Sequence, residues 1–569
     1  MAALEISTES AQLLVAFGCY LLGVALLGVF SHRYLTRGSF VKEYFLGNRG
    51  LGPWVLALSV AATAISGGTF MGFPSLVYTN GWVMALWVCG YMTVPLTTMG
   101  LLGKRLNQVA RISGAVTVPD VFRDRFRSPT LGVTASCLIL VFLGFNLVAQ
   151  FKGGGLVMKE ALRLPPGTIS LPTWGITIDR GYLVGLAIFA CTVIAYTTYG
   201  GFWAVTWTDV LEGLVMLVGV VVLAVLAVAA VPAIDGRSGL DAATEHLYRL
   251  DPALVRGPGP GRFLPLGMAV SFYVLWSLLG AGQPSGMVRL MSFRDSTSLR
   301  RALLLASGYF AATYLCLVVI FICARAIFPT QYLHGTGSEG EPDSIMPVMV
   351  REVTRPLRIG SWSIGPLVAG FLLAAPYAAI MSTVAAFLLM ISSSLVRDLY
   401  QRVFHPSVTT RTVKTLSYLV TALVGLIALA GALNPPSFLQ YIIVFTGSGQ
   451  GCAFLVPMAL TLYWRRATRA GILAGMLAGF GVLVAGYALG WLDAADLPWS
   501  EDNLAWLPGW GEPRLDKFAP LYAGGVDPLL WGLLASAVAG IGISLLTKVD
   551  EEQAAKYFFD APASTAASA

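Results

Sequence analysis

Thirteen stretches of this chain are apolar for long enough to cross a lipid bilayer, at 12–30, 53–78, 82–103, 130–151, 182–199, 203–231, 263–288, 302–328, 362–395, 412–433, 436–464, 470–491 and 526–547. A spanning helix needs roughly 20 such residues. In lipid a helix satisfies its own backbone, so the pattern predicts an all-α polytopic membrane protein of about 13 transmembrane helices. Of the 569 residues, 56% are hydrophobic and 12% are charged. That balance excludes a disordered chain, a coiled coil and an ordinary cytosolic enzyme. The first run has no basic residue before it and is too long for a signal h-region, so it reads as a retained helix.

The charges orient the bundle. With the N-terminus outside, the inner segments 31–52, 104–129, 200–202, 289–301, 396–414, 465–469 and the C-terminal tail hold 23 of the 37 lysines and arginines. The short outer connections at 79–81 and 434–435 hold none. The rule that inner loops are basic therefore places the N-terminus outside and the C-terminus in the cytoplasm. The net charge of +7 is then a topology signal, and no nucleic-acid partner is expected. The expected location is the cell inner (cytoplasmic) membrane, multi-pass, with the lipid bilayer as the surrounding partner.

Two spans are interrupted. The second carries Ala62-Thr63-Ala64-Ile65-Ser66-Gly67-Gly68-Thr69-Phe70-Met71-Gly72-Phe73-Pro74 and the seventh Gly280-Ala281-Gly282-Gln283-Pro284-Ser285-Gly286. Either run alone is equally a kink or a close helix contact. Together they open two sets of five spans, and breaks at matching positions point to an inverted-repeat transporter. Broken helices expose N–H and C=O groups at mid-membrane, able to hold a small solute and a cation. In the ninth span Ser382 and Thr383 offer hydroxyl oxygens of the kind hard cations take; the bland alternative is bonding back to the preceding turn. Asp209 in the sixth span, with Glu212 one turn on, is either functional or a headgroup-level acid. No Lys or Arg is expected in the central part of any span. The seven cysteines read as buried small hydrophobes, and the four histidines fall in polar connections.

At these residues the chain resembles the sodium:solute symporter family, from about residue 10 to 550. The matching pieces are Phe45-Leu46-Gly47-Asn48-Arg49, the Ala62–Pro74 break, Tyr199-Gly200-Gly201 leading to Thr208-Asp209, Gly282-Gln283-Pro284, Ala378–Thr383 and Tyr463-Trp464-Arg465-Arg466-Ala467-Thr468. The resemblance implies a five-plus-five inverted-repeat core with one extra N-terminal and two extra C-terminal helices. The extra helix falls in 1–31, the repeats in 32–231 and 232–464, the last two helices in 465–547 and a cytoplasmic tail in 548–569. It implies a sodium site of backbone carbonyls at Ala62, Ile65 and Ala379 and hydroxyls of Ser382 and Thr383, with Asp209 as the acid supporting coupling. Ser66, Gly67, Thr69 and Phe70 are expected to face the solute from one side, Trp276, Gly280 and Gln283 from the other, with Ser448 and Gln450 adding to the cavity. The proline carriers have an aspartate at Ala64 and an aromatic at Gly280, which argues against proline. The nearest likeness is to the pantothenate permeases, on Gly103-Lys104-Arg105, Ala115-Val116-Thr117, Gly213–Leu217 and Ala374–Thr383. Some members carry a second sodium site from hydroxyls just after the Ser/Thr pair; here Val384, Ala385 and Ala386 stand there.

The expected function is a sodium-coupled symporter importing a small organic solute, pantothenate or another small monocarboxylate, with sodium as coupling ion and no organic cofactor. A neutral or zwitterionic solute (a sugar, amino acid or nucleoside) and a transporter-like sensor remain open. No nucleotide-binding loop, repeated filter or catalytic constellation is present in the sequence, which disfavours a pump, a channel and a membrane enzyme.

Overall fold

The computed structural model describes residues 8–31, 44–46, 49–162, 167–171, 176–331, 342–433, 439–494 and 519–558. Gly47 and Asn48 of the first matching stretch, and His32 and His334, lie outside them. The described chain is almost entirely helical, with two small antiparallel hairpins, Thr168–Leu171 with Ile176–Asp179 and Arg358–Ile359 with Trp362–Ser363.

Ten described helices are long and apolar enough to cross a membrane, or eleven if the bent pair Leu266–Gly282 and Pro284–Met291 is one span. The difference from the expected thirteen lies at two joints. Arg180–Ala230 runs for 51 residues, where the sequence places the fifth and sixth spans, and kinks at Gly201 with φ 58° and ψ −154°. A side chain there would strike the ring of Tyr44, so the kink requires glycine. Pro53–Ala64 is a short apolar helix, separated from a 46-residue stretch, Gly68–Ser113, that turns at Gly81 with φ 72°. Segment numbers below follow the sequence.

The breaks share one design. Pro53–Ala64 ends where Ile65 turns extended, φ −89° and ψ 114°, before a π-helical turn Gly68–Gly72 and the helix Phe73–Asn80. Leu266–Gly282 ends where Gln283 turns extended, φ −84° and ψ 117°, before Pro284–Met291, with a 45° bend. Proline at the start of each second half suits the missing N–H of a helix's first turn.

The ninth segment is the axle of the bundle. In Gly365–Phe404 the apolar window is 94% buried, against 28% for the first, twelfth and thirteenth segments, so protein surrounds the one and is absent from most of the others. It packs on the first, second and fourth segments and on the long fifth–sixth helix, while the twelfth and thirteenth pack chiefly on each other.

Three expectations change. The fourth helix does not stop at 151 but runs Pro129–Leu162 through Lys152, because Lys152 Nζ is paired with Asp343 Oδ2 at 3.3 Å. Lys152 and Arg289, each one residue beyond the expected end of its span, are both buried inside helices, and each charge is neutralised by a carboxylate. Only Cys323 and Cys452 are buried by protein; Cys19, Cys89, Cys137 and Cys191 sit on outward faces of apolar helices.

Candidate cation and solute site

The break at Ile65 brings the five expected cation-binding residues together. Ser382 Oγ lies 2.7 Å from Ala62 O, and Thr383 Oγ1 lies 3.5 Å from Ile65 O and 3.0 Å from Ala379 O. All five residues are fully buried. Ile65 frees its carbonyl by leaving the helix, while Ser382 and Thr383 stand on an unbroken one. Each hydroxyl donates to these carbonyls here; turned the other way, it offers its own lone pairs. Three carbonyls and two hydroxyls then present neutral oxygens from two elements, a donor set that suits sodium.

Asp209 is wholly buried in protein. Its Oδ2 accepts from Ser59 Oγ at 2.6 Å and from Arg289 Nη2 at 2.8 Å, and Arg289 Nε donates to Ser59 Oγ at 2.8 Å. Arg289 comes from the second half of the seventh span, which the sequence reading assigned to an inner loop. The signal available was its place five residues beyond the Pro284 break. Glu212 is buried too, and neither of its carboxyl oxygens has a hydrogen-bond partner.

Beside the cation residues lies a narrow cavity of about 20 Å³, and Thr383 lines both. Of the expected solute residues, Ser66, Thr69, Trp276 and Gln283 line it. Thr63, Asn146 and Tyr91 also line it, and the sequence reading missed them in that role. Tyr91 stacks between Trp276 at 4.4 Å and Tyr314 at 4.0 Å, and Thr69 Oγ1 meets Tyr314 OH at 3.1 Å. Asn146 donates to Thr446 at 2.8 Å and accepts from Gln150 at 3.0 Å, while Gln150 Oε1 accepts the Gly67 N–H at 2.8 Å. This chain ties the broken helix to the fourth and eleventh segments. None of the cavity-lining residues is charged.

The other expected solute residues stand elsewhere. Gly67 serves the Gln150 bond, and Phe70 is buried in the core. Ser448 and Gln450 are buried, with Gln450 Nε2 bonded back to Thr446 O of its own helix. Gly280 faces the third span: an added Cβ would overlap Thr98 Oγ1 and stand 2.9 Å from Val94 Cγ1. It is a close helix contact, not a cavity wall. Gly280→Trp is therefore expected to lose sodium and solute binding together, since overpacking by far less costs about 1–3 kcal/mol. Selective loss of solute binding, with sodium binding kept in purified protein, would contradict this placement.

Residues 44–479 match the Sodium:solute symporter family. The chain belongs to that family. It is 32% identical over 477 residues to the sodium/pantothenate symporter of Escherichia coli, covering 83% of this chain and 90% of that protein. It is 30% identical over 471 residues to the sodium/pantothenate symporter of Haemophilus influenzae, covering 82% and 88%. The osmoregulated proline transporter of Bacillus subtilis is 26% identical, covering 95% of this chain and 96% of its own. A structure of a Na+-coupled sialic acid symporter in a substrate-bound, outward-open state superposes with a TM-score of 0.68 at 19% identity, covering 96% of this chain and 99% of that one. At that identity the likeness speaks for the fold, which is the inverted-repeat transporter fold. As a sodium:solute symporter the protein is a membrane-spanning, sodium-coupled transporter of a small solute, not an enzyme.

Proposed function

We propose that this symporter imports pantothenate, or a small monocarboxylate like it, with sodium held by Ala62, Ile65 and Ala379 carbonyls and Ser382 and Thr383 hydroxyls. The observation that carries the coupling is that Thr383 belongs to both the cation cluster and the solute cavity. An ion that fixes Thr383 and the Ile65 carbonyl also fixes one cavity wall, so binding of one ligand lowers the cost of ordering the site for the other, reciprocally. The identity with two sodium/pantothenate symporters supports the solute class. Ser66, Thr69, Trp276 and Gln283 are the solute contacts we retain, with Thr63, Asn146 and Tyr91 added. The domain boundaries, the inner-membrane location and the outside N-terminus carry over as part of this reading, supported by the basic inner segments.

Labelled uptake into proteoliposomes tests it. Pantothenate accumulation that needs an inward sodium gradient is expected; sodium-dependent uptake of proline or a sugar in its place would overturn the solute assignment.

The stoichiometry follows from Val384, Ala385 and Ala386, which offer no side-chain oxygen, and from Asp209 being bonded to Ser59 and Arg289. A largely desolvated second sodium would lack ligands. One sodium per solute is expected in parallel tracer fluxes. With a monoanionic solute no net charge moves and an imposed potential is without effect. A neutral solute would instead carry one charge, worth about 2.3 kcal/mol per 100 mV. A measured ratio of two would show a second sodium site built from other residues.

A further inference from the structure

A buried arginine on the eighth segment has no part in the site described above. Arg325, near the outer end of the eighth segment Ser296–Ile327, is 7% exposed, and its Nε and Nη1 have no hydrogen-bond partner. No carboxylate of the described residues lies within ion-pair distance of it. Its guanidinium carbon stands 5.2 Å from the ring centroid of Tyr78. Tyr78 belongs to Phe73–Asn80, the outer half of the broken second span, and its hydroxyl donates to Phe328 O at 2.5 Å.

The residue has a direction as well. Tyr314, which meets Thr69 and Tyr91 at the cavity, lies about three turns, or about 16 Å, along the same face of the same helix. The second buried cation of this region, Lys152, is already matched by Asp343, whose Oδ2 also accepts from Leu439 N at 3.1 Å. The turn holding Asp343 packs on Phe73–Asn80 as Arg325 does. One positive charge is thus left over beside the outer half of the broken helix.

Burying a guanidinium without a partner costs several kcal/mol, and one face of an aromatic ring offsets only part of that. A partner that is present in only one stage of a transport cycle would complete it. The planar fork matches a carboxylate with two parallel hydrogen bonds. The cavity further in has no cation of its own, so an anionic solute needs its counter-charge before it gets there.

We propose that Arg325 is an outer docking site for the carboxylate of the solute, from which it passes inward along the Tyr314 face. This rests on the carboxylate reading above. The test uses the full chain in proteoliposomes, with unlabelled pantothenate and its alcohol analogue, which has CH2OH in place of the carboxylate, each competing against labelled pantothenate. Arg325→Gln is expected to reduce the preference for the carboxylate over the alcohol at least tenfold, with half-saturating sodium shifted less than twofold. An unchanged preference, or equal weakening of both competitors, would overturn the proposal while leaving pantothenate transport standing. Absence of pantothenate uptake in the unmodified protein would overturn the solute reading and this docking site with it. Where Arg325→Gln fails to accumulate in the membrane, Arg325→Lys keeps the charge and loses the fork. A threefold or greater fall in preference there supports the site, and none overturns it.

Discussion

Replacing Ser382 or Thr383 by Ala is expected to weaken apparent sodium affinity at least tenfold, equivalent to about 1.4 kcal/mol. Each change removes one of the two hydroxyl oxygens that, with the Ala62, Ile65 and Ala379 carbonyls, form the buried cluster. The remaining oxygens cannot close around the ion, because Ser382 and Thr383 stand on an unbroken helix that is surrounded by protein. Loss of a hydroxyl also leaves a buried carbonyl without its donor, so a modest drop in stability accompanies the effect. Membrane abundance should barely change. The measurement is uptake against sodium concentration, with protein amount fixed by immunoblot. Unchanged sodium dependence in the double alanine variant would mean that the cluster is only a helix contact.

The largest effect on folding is expected at Arg289. Arg289→Gln leaves Asp209 fully buried with only the Ser59 hydrogen bond and no counter-charge, and removing one partner of a buried pair costs about 3–5 kcal/mol. Asp209→Asn strands the guanidinium in the same way and should also lower sodium-driven transport. The combined Asp209→Asn/Arg289→Gln variant removes both charges and should be less destabilised than either single variant. Thermal unfolding of the purified protein in detergent measures this. Single variants as stable as the parent would mean that the pair is not formed. A double variant with the two single losses simply added would mean that the residues act independently.

Much of the architecture was legible in the chain because a bilayer forces it. Each run of apolar residues had to be a helix, and each Gly/Pro cluster inside one had to be a break against protein or water. Ile65 and Gln283 both turn extended inside those clusters. What resisted reading was the direction of side chains within buried helices. Gly280 lies in the right run yet faces Thr98 and Val94. Asn146 sits on a helix whose sequence carries no break or motif, and only its place against Thr446 and Gln150 shows it at the cavity.

The charged residues divide in the same way. Hydropathy predicted the helical class and the segment order, and the residues around Ala62, Asp209 and Ser382 carried the family resemblance, since each depends on residues near one another in the chain. Arg289 looked like a loop residue, and Lys152 like the end of a span, because a lone charge is costly in lipid. Their partners lie 80 and 191 positions away in the chain, and no local pattern encodes a pairing over that distance. Local pattern thus pointed to a broken-helix transporter, and the resemblance to sodium coupling. Which buried charges are neutralised emerges only when the helices pack, as Asp209 with Arg289 and Lys152 with Asp343 show, because neutralisation is a matter of contact between helices and not of composition along them.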